Sequence, residues 1–249
     1  NTEIFKEKEL KKILIAFLFF GLFINSSLCG TLKGKVNFDG KPPKNKTLKM
    51  NADPVCGSSH KEPVYRESFI MNQDGYLKNV MVYLNNINYD VKIPESSAVL
   101  DQNGCMYSPH VQGIIRGQEL IIKNSDATLH NIHGLPKVNA EFNFAMPKVV
   151  KEKPIKFNKS EHAIFIKCDV HPWMKSYISV FDHPFFSVTD DGGNYKINNI
   201  PPGTYDVVAW QEKFQDKKTK EWITLNASVT IGEGETNHDF TFVKPKKKK

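Results

Sequence analysis

The stretch from Cys168 to Met174 brings together three residue types that bind transition metals, at the spacing Cys-x2-His-x2-Met. The thiolate of Cys168, the imidazole of His171 and the thioether of Met174 are soft or borderline donors, which select copper over magnesium, calcium or manganese. A mononuclear copper site for electron transfer needs two imidazoles, one cysteine and a weak axial methionine. The stretch therefore lacks only one imidazole, which must come from elsewhere in the chain.

An upstream histidine, His130, is the predicted source of that imidazole. It follows an apolar strand pattern at residues 117–123 and a polar loop. A strand that ends in a polar loop and His-Asn can bring an imidazole to the end of a β-sandwich. His133 is the alternative ligand, and we prefer His130 because it alone is followed by an asparagine, Asn131.

Two motifs of this region resemble those of the cupredoxins, the blue copper proteins that include amicyanin and plastocyanin. One is Asn-x5-His-Asn, from Asn124 to Asn131, and the other is the late Cys-x2-His loop that closes with methionine at the short amicyanin spacing. The resemblance covers roughly residues 98–182 and implies a Greek-key β-sandwich that holds one type 1 copper. It also implies that Asn131 lies beside the ligands and fixes the two ligand loops. The metal ligands that it implies are His130, Cys168, His171 and Met174.

The same resemblance implies a place for electron exchange. In cupredoxins the edge of the second histidine faces solvent within an apolar patch, and here Pro172 and Trp173 stand beside His171. We expect these two residues to dock a redox protein, such as a c-type cytochrome or an oxidoreductase. The alternative is that Trp173 packs against a neighbouring domain. We expect a carrier rather than an enzyme, because the sequence lacks the further paired histidine motifs of catalytic copper centres.

Other functions compete for the same residues. A copper-delivery protein without electron transfer would more often use exposed clusters rich in methionine or histidine, which the sequence lacks. A metal-free β-sandwich that binds proteins or carbohydrates would have no need of the Cys-His-Met loop. A zinc site is weaker, because structural zinc sites usually carry paired cysteines. Met146 is a weaker axial candidate than Met174, since it lies outside the ligand loop.

The rest of the chain predicts an all-β fold. The 249 residues suffice for one large or two small domains. Short alternating apolar runs, such as residues 80–84 and 205–210, outnumber any helical periodicity. Such runs between glycine and proline turns are typical of β-sandwiches.

A second signature lies in the C-terminal part. Thr-Asp-x2-Gly-x-Tyr begins at Thr189, and Pro-Pro-Gly-x-Tyr begins at Pro201. These motifs resemble the carboxypeptidase-regulatory-like module, an Ig-like β-sandwich with a structural or interaction role, and residues 30–43 look like its opening strand and turn. The second sandwich is therefore either split around the cupredoxin, which we prefer, or arranged in tandem with it. The predicted divisions are a signal peptide (1–29), an N-terminal β segment (30–97), the cupredoxin domain (98–182), the second sandwich (183–243) and a disordered lysine tail (244–249).

The N-terminal residues have the layout of a secretory signal peptide. Lysines precede an apolar run at residues 13–24, which is too short to span a membrane, and small polar residues follow. We expect cleavage near Cys29 or Gly30 and a secreted or periplasmic protein. Membrane association would require an anchor at the N-terminus, either an uncleaved signal or acylation of Cys29.

If the protein is exported, its cysteines are expected to be paired in disulfides or bound to metal. Without the signal, Cys56, Cys105 and Cys168 remain, and an odd cysteine in an exported protein demands a reason. A disulfide between Cys56 and Cys105 with a copper thiolate at Cys168 accounts for all three. The bridge closes a loop of about fifty residues, which is worth about 4 kcal/mol in the loop-entropy model.

The formal net charge of +7 belongs mostly to the ends of the chain. The tail at residues 244–249 carries five lysines, and the signal segment has a small positive excess. The folded body is therefore nearly neutral. With no basic face and no interleaved aromatic residues, nucleic-acid binding is not expected.

Overall fold

A computed structural model describes residues 29–244 of the chain. The predicted signal peptide, apart from Cys29, and the predicted lysine tail beyond Lys244 lie outside the described residues. Between residues 29 and 244, no helix is long and apolar enough to cross a membrane. The fold is all-β, as predicted, since these residues form nineteen strands and one short helix.

The short helix precedes all strands but one. It is α1, Pro54–Ser58, and it begins at the N-cap residue Asp53, with proline in its first turn. Aspartate at the N-cap and proline just after it are a favoured helix start. The strands are β1 (Gly30–Asp39), β2 (Ile70–Met71), β3 (Leu77–Lys78), β4 (Met81–Asn85), β5 (Ala98–Asn103), β6 (Met106–Ser108), β7 (Val111–Ile115), β8 (Glu119–Asn124), β9 (His130–Leu135), β10 (Phe142–Met146), β11 (Glu152–Lys156), β12 (Glu161–Lys167), β13 (Lys175–Phe181), β14 (Phe186–Val188), β15 (Asn194–Ile200), β16 (Gly203–Trp210), β17 (Leu225–Ile231), β18 (Gly234–Asn237) and β19 (Phe240–Val243).

Two sheets pack into a first β-sandwich. One has the order β15-β1-β18, with β19 also paired to β1, and the other has the order β14-β4-β16-β17. Buried and less buried residues alternate along β17, because successive side chains of a strand point to opposite faces. The buried faces of these sheets share a core that includes Leu32, Val82, Val207 and Phe242.

A second β-sandwich is built from β5 to β13. One sheet has the order β10-β9-β12-β13-β7 and the other has the order β11-β8-β5-β6. Their core includes Leu120, Ile132 and Ile166. The predicted ligands Cys168 and Met174 belong to the same buried cluster, so the candidate site lies against the core of this sandwich.

The two sandwiches are not consecutive in the chain. Strands β1 and β4 come before the second sandwich, and β14 to β19, with which they pair, come after it. Strand β1 pairs antiparallel with β15 and parallel with β18 and β19. The second sandwich is therefore inserted between strands of the first.

Residues 47–65, which we call the cap segment, leave the first sandwich and pack on the second. A β-bridge between Thr47 and Tyr65 joins the two ends of this segment. Met50 and Cys56, both buried, belong to the core cluster of the second sandwich. Part of the predicted N-terminal β segment thus covers the sandwich that carries the candidate ligands.

Aromatic residues join the two sandwiches. Trp210 of the first sandwich is fully buried and lies 5.2 Å, ring to ring, from Tyr177 of the second. Nearby, a ring nitrogen of His110 lies 2.6 Å from the carboxylate of Glu212, and both residues are buried. Apolar packing and a buried polar contact together fix how the sandwiches are oriented.

Candidate metal centre

The predicted ligand loop connects β12 to β13. Cys168 directly follows β12, and Met174 directly precedes β13. The backbone N–H of Cys168 donates to the carbonyl of Met174 at 3.3 Å, and the N–H of Met174 donates to the carbonyl of His171 at 2.9 Å. These hydrogen bonds close the loop, so that two paired strands hold its side chains in place.

The structure brings His130, Cys168 and His171 together. His130 opens β9, the neighbour of β12 in the same sheet. One nitrogen or sulfur atom of each residue lies within 4.8 Å of the others, and all three side chains are buried. The two Nδ1 atoms are 3.0 Å apart, and the Sγ of Cys168 lies 3.8 Å from the Nδ1 of His171. Two imidazole nitrogens and a thiolate directed at one buried point fit a copper ion.

Two buried methionines, Met174 and Met146, belong to the same core cluster as Cys168. Met174 is 1% exposed and closes the ligand loop. Met146 lies opposite His130 in the register of β10 and β9. Its sulfur accepts a hydrogen bond from the side-chain amide of Gln102 at 3.2 Å. Because the sulfur of Met146 has this partner, Met174 remains the predicted axial donor.

The surroundings shift the pKa values of Cys168 and His130 in opposite directions. Burial raises the pKa of Cys168, but hydrogen bonds from His130 and from the backbone N–H groups of Asn131 and His171 outweigh it, and the pKa is lowered overall. Burial lowers the pKa of His130, yet hydrogen bonds to Asp126 and Cys168 raise it to about 9. A thiolate is the form in which cysteine binds metal, so the lowered pKa of Cys168 favours metal binding, whereas the raised pKa of His130 means that its ring must lose a proton when metal binds.

Asp126 orients His130. Its Oδ2 lies 2.8 Å from the Nε2 of His130, which leaves Nδ1 to face the other donors. The same carboxylate accepts the backbone N–H groups of Gly104 and Cys105, each at 2.8 Å. Both of these residues have positive φ, as in the type I′ turn that joins two-residue hairpins. The turn between β5 and β6 therefore holds the carboxylate of Asp126 in place, and this carboxylate in turn orients the ring of His130.

Asp53 orients His171 in the same way, but from the cap segment. Its Oδ1 accepts the backbone N–H of Val55 at 2.8 Å and that of Cys56 at 3.2 Å. Its Oδ2 lies 3.1 Å from the Nε2 of His171 and accepts the hydroxyl of Thr128 at 2.8 Å. Metal-binding histidines commonly donate their second ring N–H to a carboxylate, and both predicted ligand histidines have a carboxylate oxygen at Nε2.

Asn131 joins the two ligand loops. Its Oδ1 accepts the backbone N–H of Asp169 at 2.9 Å, directly beside Cys168. His133, the alternative first ligand, lies on the other side of β9 from His130, as the alternation of a strand requires. Its ring nitrogens lie 2.9 Å from Asp169 and 2.8 Å from Glu141. His133 therefore has carboxylate partners outside the site.

The second histidine does not present an open edge. His171 is 2% exposed, and Asp53 of the cap segment lies against its Nε2. The expectation of a solvent-facing edge is wrong for this chain, because the cap segment fills the space in front of it. Of the predicted docking residues, Pro172 is exposed and Trp173 is half-buried, with its ring 5.0 Å from that of His171.

The indole N–H of Trp173 donates to the carbonyl of Cys105 at 3.0 Å. Trp173 thus contacts the disulfide-bearing turn, as well as the ligand histidine. Pro172 and Trp173 also border a small cleft of about 140 Å³. Its charged or titratable lining residues are Arg66, Glu67, His110 and Lys175.

The predicted disulfide joins Cys56 of α1 to Cys105 of the β5–β6 turn, across a sequence separation of 49 residues. Cys168 remains a free, buried thiol, and Cys29 is free and exposed. Within the described residues, the predicted pairing of Cys56 with Cys105 and the predicted free thiol of Cys168 are therefore both present. The bridge also fastens the cap segment over the site, which the sequence alone did not indicate.

Sequence reasoning missed the two aspartates. Asp126 stands in the polar loop just before His130, where an acidic residue could have been recognised as a partner for the ligand. Asp53 carries a weaker signal: it precedes Pro54, as a helix N-cap does, and lies close to Cys56. Only the structure shows that Asp53 reaches Thr128, in the loop before His130.

Comparison with known proteins gives partial likenesses. The family described as polysaccharide lyase family 4, domain II, matches residues 173–238. No match was found among curated protein sequences. The family match covers β13 to β18, much of which belongs to the first sandwich, and it does not extend to Cys168 or His171.

Solved structures of copper proteins are similar to part of the chain. The copper-containing nitrite reductase of Thermus scotoductus SA-01 is 22% identical with a TM-score of 0.31, over 39% of this chain and 25% of that one. An oxidised amicyanin variant is 18% identical with a TM-score of 0.32, over 40% of this chain and 98% of that one. A Cu(I) amicyanin variant is 18% identical with a TM-score of 0.31, over 41% and 99%. The chain spans a quarter of the reductase and nearly the whole of amicyanin.

Proposed function

We propose that this chain is an exported type 1 copper protein that carries single electrons between redox partners. The observation that carries the proposal is the convergence of three buried donors, with the Nδ1 atoms of His130 and His171 3.0 Å apart and the thiol of Cys168 beside them. Met174, which closes the same loop, would supply the weak thioether ligand. Copper bound there supplies a one-electron couple between Cu(I) and Cu(II).

The residues around the donors suit an electron carrier. Asp126 and Asp53 each lie at the Nε2 of a predicted ligand histidine, so both imidazoles turn Nδ1 toward the place where metal would bind. The N–H of His171 donates to the sulfur of Cys168 at 3.3 Å, and such hydrogen bonds tune the potential of a metal–thiolate site. Side chains held by packed strands and hydrogen bonds change little when the oxidation state changes, which speeds electron transfer.

Burial also argues for a carrier over an enzyme or a delivery protein. A catalytic metal site keeps an open position for substrate, whereas His130, Cys168 and His171 are at most 2% exposed. A delivery protein must pass its metal to a partner, which requires ligands that the partner can reach. Electrons, unlike ions, pass through a closed protein shell.

The remaining parts of the proposal concern partner and location. A redox protein, such as a c-type cytochrome or an oxidoreductase, would dock near Pro172 and Trp173, next to His171. The disulfide between Cys56 and Cys105 supports an exported protein, because disulfides persist in oxidising compartments. The first sandwich would serve as a carboxypeptidase-regulatory-like structural or interaction module.

Electrochemistry on the copper-loaded chain tests the carrier function. We expect one reversible one-electron couple, retained over repeated cycles and without release of metal to a Cu(I) chelator. Cys168→Ser should abolish the couple, and His133→Gln, at a histidine with carboxylate partners outside the site, should leave it unchanged. Transfer of Cu(I) to the chelator without a reversible couple would instead assign copper delivery.

A further inference from the structure

The edge of His171 that lies away from the other ligands is closed by another part of the chain. The Nδ1 of His171 faces His130 and Cys168, and its Nε2 faces Asp53 at 3.1 Å and the sulfur of Cys56 at 3.7 Å. Asp53 and Cys56 belong to the cap segment, residues 47–65, outside the strands that carry the ligands. Both nitrogens of His171 therefore have defined neighbours.

The cap segment is fastened to the second sandwich at several points. Cys56 is bonded to Cys105, and a ring nitrogen of His60 lies 2.6 Å from the carbonyl of Gly104 in the same turn. Met50 is 5% exposed and packs in the core of the second sandwich. The cap segment is therefore held on the second sandwich by a covalent bond, a polar contact and a buried side chain, and we treat it as a fixed part of that surface.

Asp53 links this segment to both ligand loops. Oδ1 caps α1, while Oδ2 receives the hydroxyl of Thr128, in the His130 loop, and faces Nε2 of His171. A metal on Nδ1 requires the remaining ring proton to sit on Nε2, where a carboxylate oxygen accepts it. Such an acceptor fixes the tautomer and makes the imidazole a stronger donor.

We propose that Asp53 is a positioning residue of the metal centre, and that the disulfide-anchored cap segment closes the His171 edge to solvent and to redox partners. This proposal rests on the proposed function, since it assigns Asp53 a role toward copper. Asp53 holds the proton on Nε2 of His171 and strengthens its Nδ1 as a donor, which favours Cu(II) over Cu(I). Electrons then leave past Trp173, the half-buried neighbour of His171, rather than through the His171 edge.

Three variants separate the role of Asp53 at His171 from its role in capping the helix. Asp53→Ser keeps a good N-cap, because serine caps as well as aspartate, but its short side chain cannot reach His171. Asp53→Asn also keeps the cap oxygen and turns an N–H₂ donor toward the ring N–H. Thr128→Val, the matched control, removes one partner of Asp53 and leaves its contact with His171.

In copper-loaded protein, we expect Asp53→Ser and Asp53→Asn to lose at least about tenfold in Cu(II) affinity relative to Cu(I). A tenfold loss corresponds to a rise of about 59 mV in the reduction potential. Thr128→Val should shift this ratio by less than about threefold. An unchanged ratio in both Asp53 variants would overturn the positioning role.

Two measurements on copper-free protein keep this proposal separate from the copper function. Nitrogen-15 NMR should find the neutral His171 ring protonated at Nε2 in the natural chain and in Thr128→Val, and a mixture of tautomers in Asp53→Ser. Diethyl pyrocarbonate should modify His171 at least about tenfold more slowly in the folded than in the urea-unfolded chain. Replacing Cys56 and Cys105 by alanine should remove that protection.

These measurements assign any failure clearly. Rapid modification of His171 in the natural folded chain would show that its edge is open. This result would overturn the proposed closure by the cap segment, whether or not the chain binds copper. An unchanged tautomer in Asp53→Ser would overturn the positioning role. A protected, Nε2-protonated His171 in a chain that binds no copper would uphold the arrangement of Asp53 and the cap segment and refute the electron-carrier function.

Discussion

Removal of the disulfide between Cys56 and Cys105 should cost about 4 kcal/mol of the free energy of unfolding. The bridge spans 49 residues, and the loop-entropy model gives about this value for a closed loop of that size. Both cysteines are at most 1% exposed, so removing each sulfur, which leaves the Cβ as a methyl group, adds a small packing loss rather than a new polar cost. The appropriate variant therefore carries alanine at both positions.

Urea unfolding of the metal-free protein measures this loss. With a slope of about 3 kcal/mol per molar urea, a loss of about 4 kcal/mol lowers the midpoint by about 1.3 M. Val149→Ala, at an exposed side chain outside the cap segment, should leave the midpoint unchanged. A loss below about 1 kcal/mol in the double variant would refute the reasoning, because the cap segment would then be held by its other contacts alone.

Three further perturbations test other parts of the structure. Burial lowers the pKa of His162 to about 4. As the pH falls below about 6.5, this histidine is therefore protonated in the unfolded chain, whereas in the folded chain it stays neutral down to about pH 4. The free energy of unfolding should fall as the pH is lowered from about 6.5 to about 4, by up to about 1.4 kcal/mol per pH unit. Urea unfolding at several pH values should show a flatter profile for His162→Gln, and identical profiles would contradict this. Asp126→Asn replaces the charged carboxylate at His130 by a neutral amide and should weaken copper binding about 10–100-fold, as measured by competition with a chelator. Unchanged affinity would show that the charge of Asp126 has no effect on the ligand. Gly113→Ala would place its Cβ 2.5 Å from the ring of Phe186 and should cost about 1–3 kcal/mol in urea unfolding, whereas a neutral result would mean that the ring moves freely.

The ligand loop is the part that the sequence predicts best. Cys168, His171 and Met174 lie within one short connection between two strands, so their spacing alone brings them together. His130 could be chosen over His133 from the asparagine that follows it, and the alternation of β9 gives the physical reason, since the two side chains point to opposite faces. The disulfide followed from an odd number of cysteines rather than from any local pattern.

The closure of the site could not be read from the sequence. Asp53 and His171 are 118 positions apart, and only the folded chain brings them into contact. The pairing of β1 with β15 could not be predicted either. Strand periodicity shows which face of a strand is buried, but it does not show which strand lies beside it. The family resemblance led us to expect an open His171 edge. That expectation failed because the cap segment lies outside the predicted cupredoxin domain, so the cupredoxin motifs carry no information about it.

The most direct test of the metal centre is a Cu(II) titration of the metal-free chain, followed by visible absorption. We predict saturation at one equivalent of copper, with an intense orange-red charge-transfer band from the Cys168 thiolate. This band should be lost in Cys168→Ala and retained in His133→Gln, which changes a histidine outside the site. A chain that binds no copper, or binds Cu(II) without a band that depends on Cys168, would contradict the assignment of a type 1 copper site.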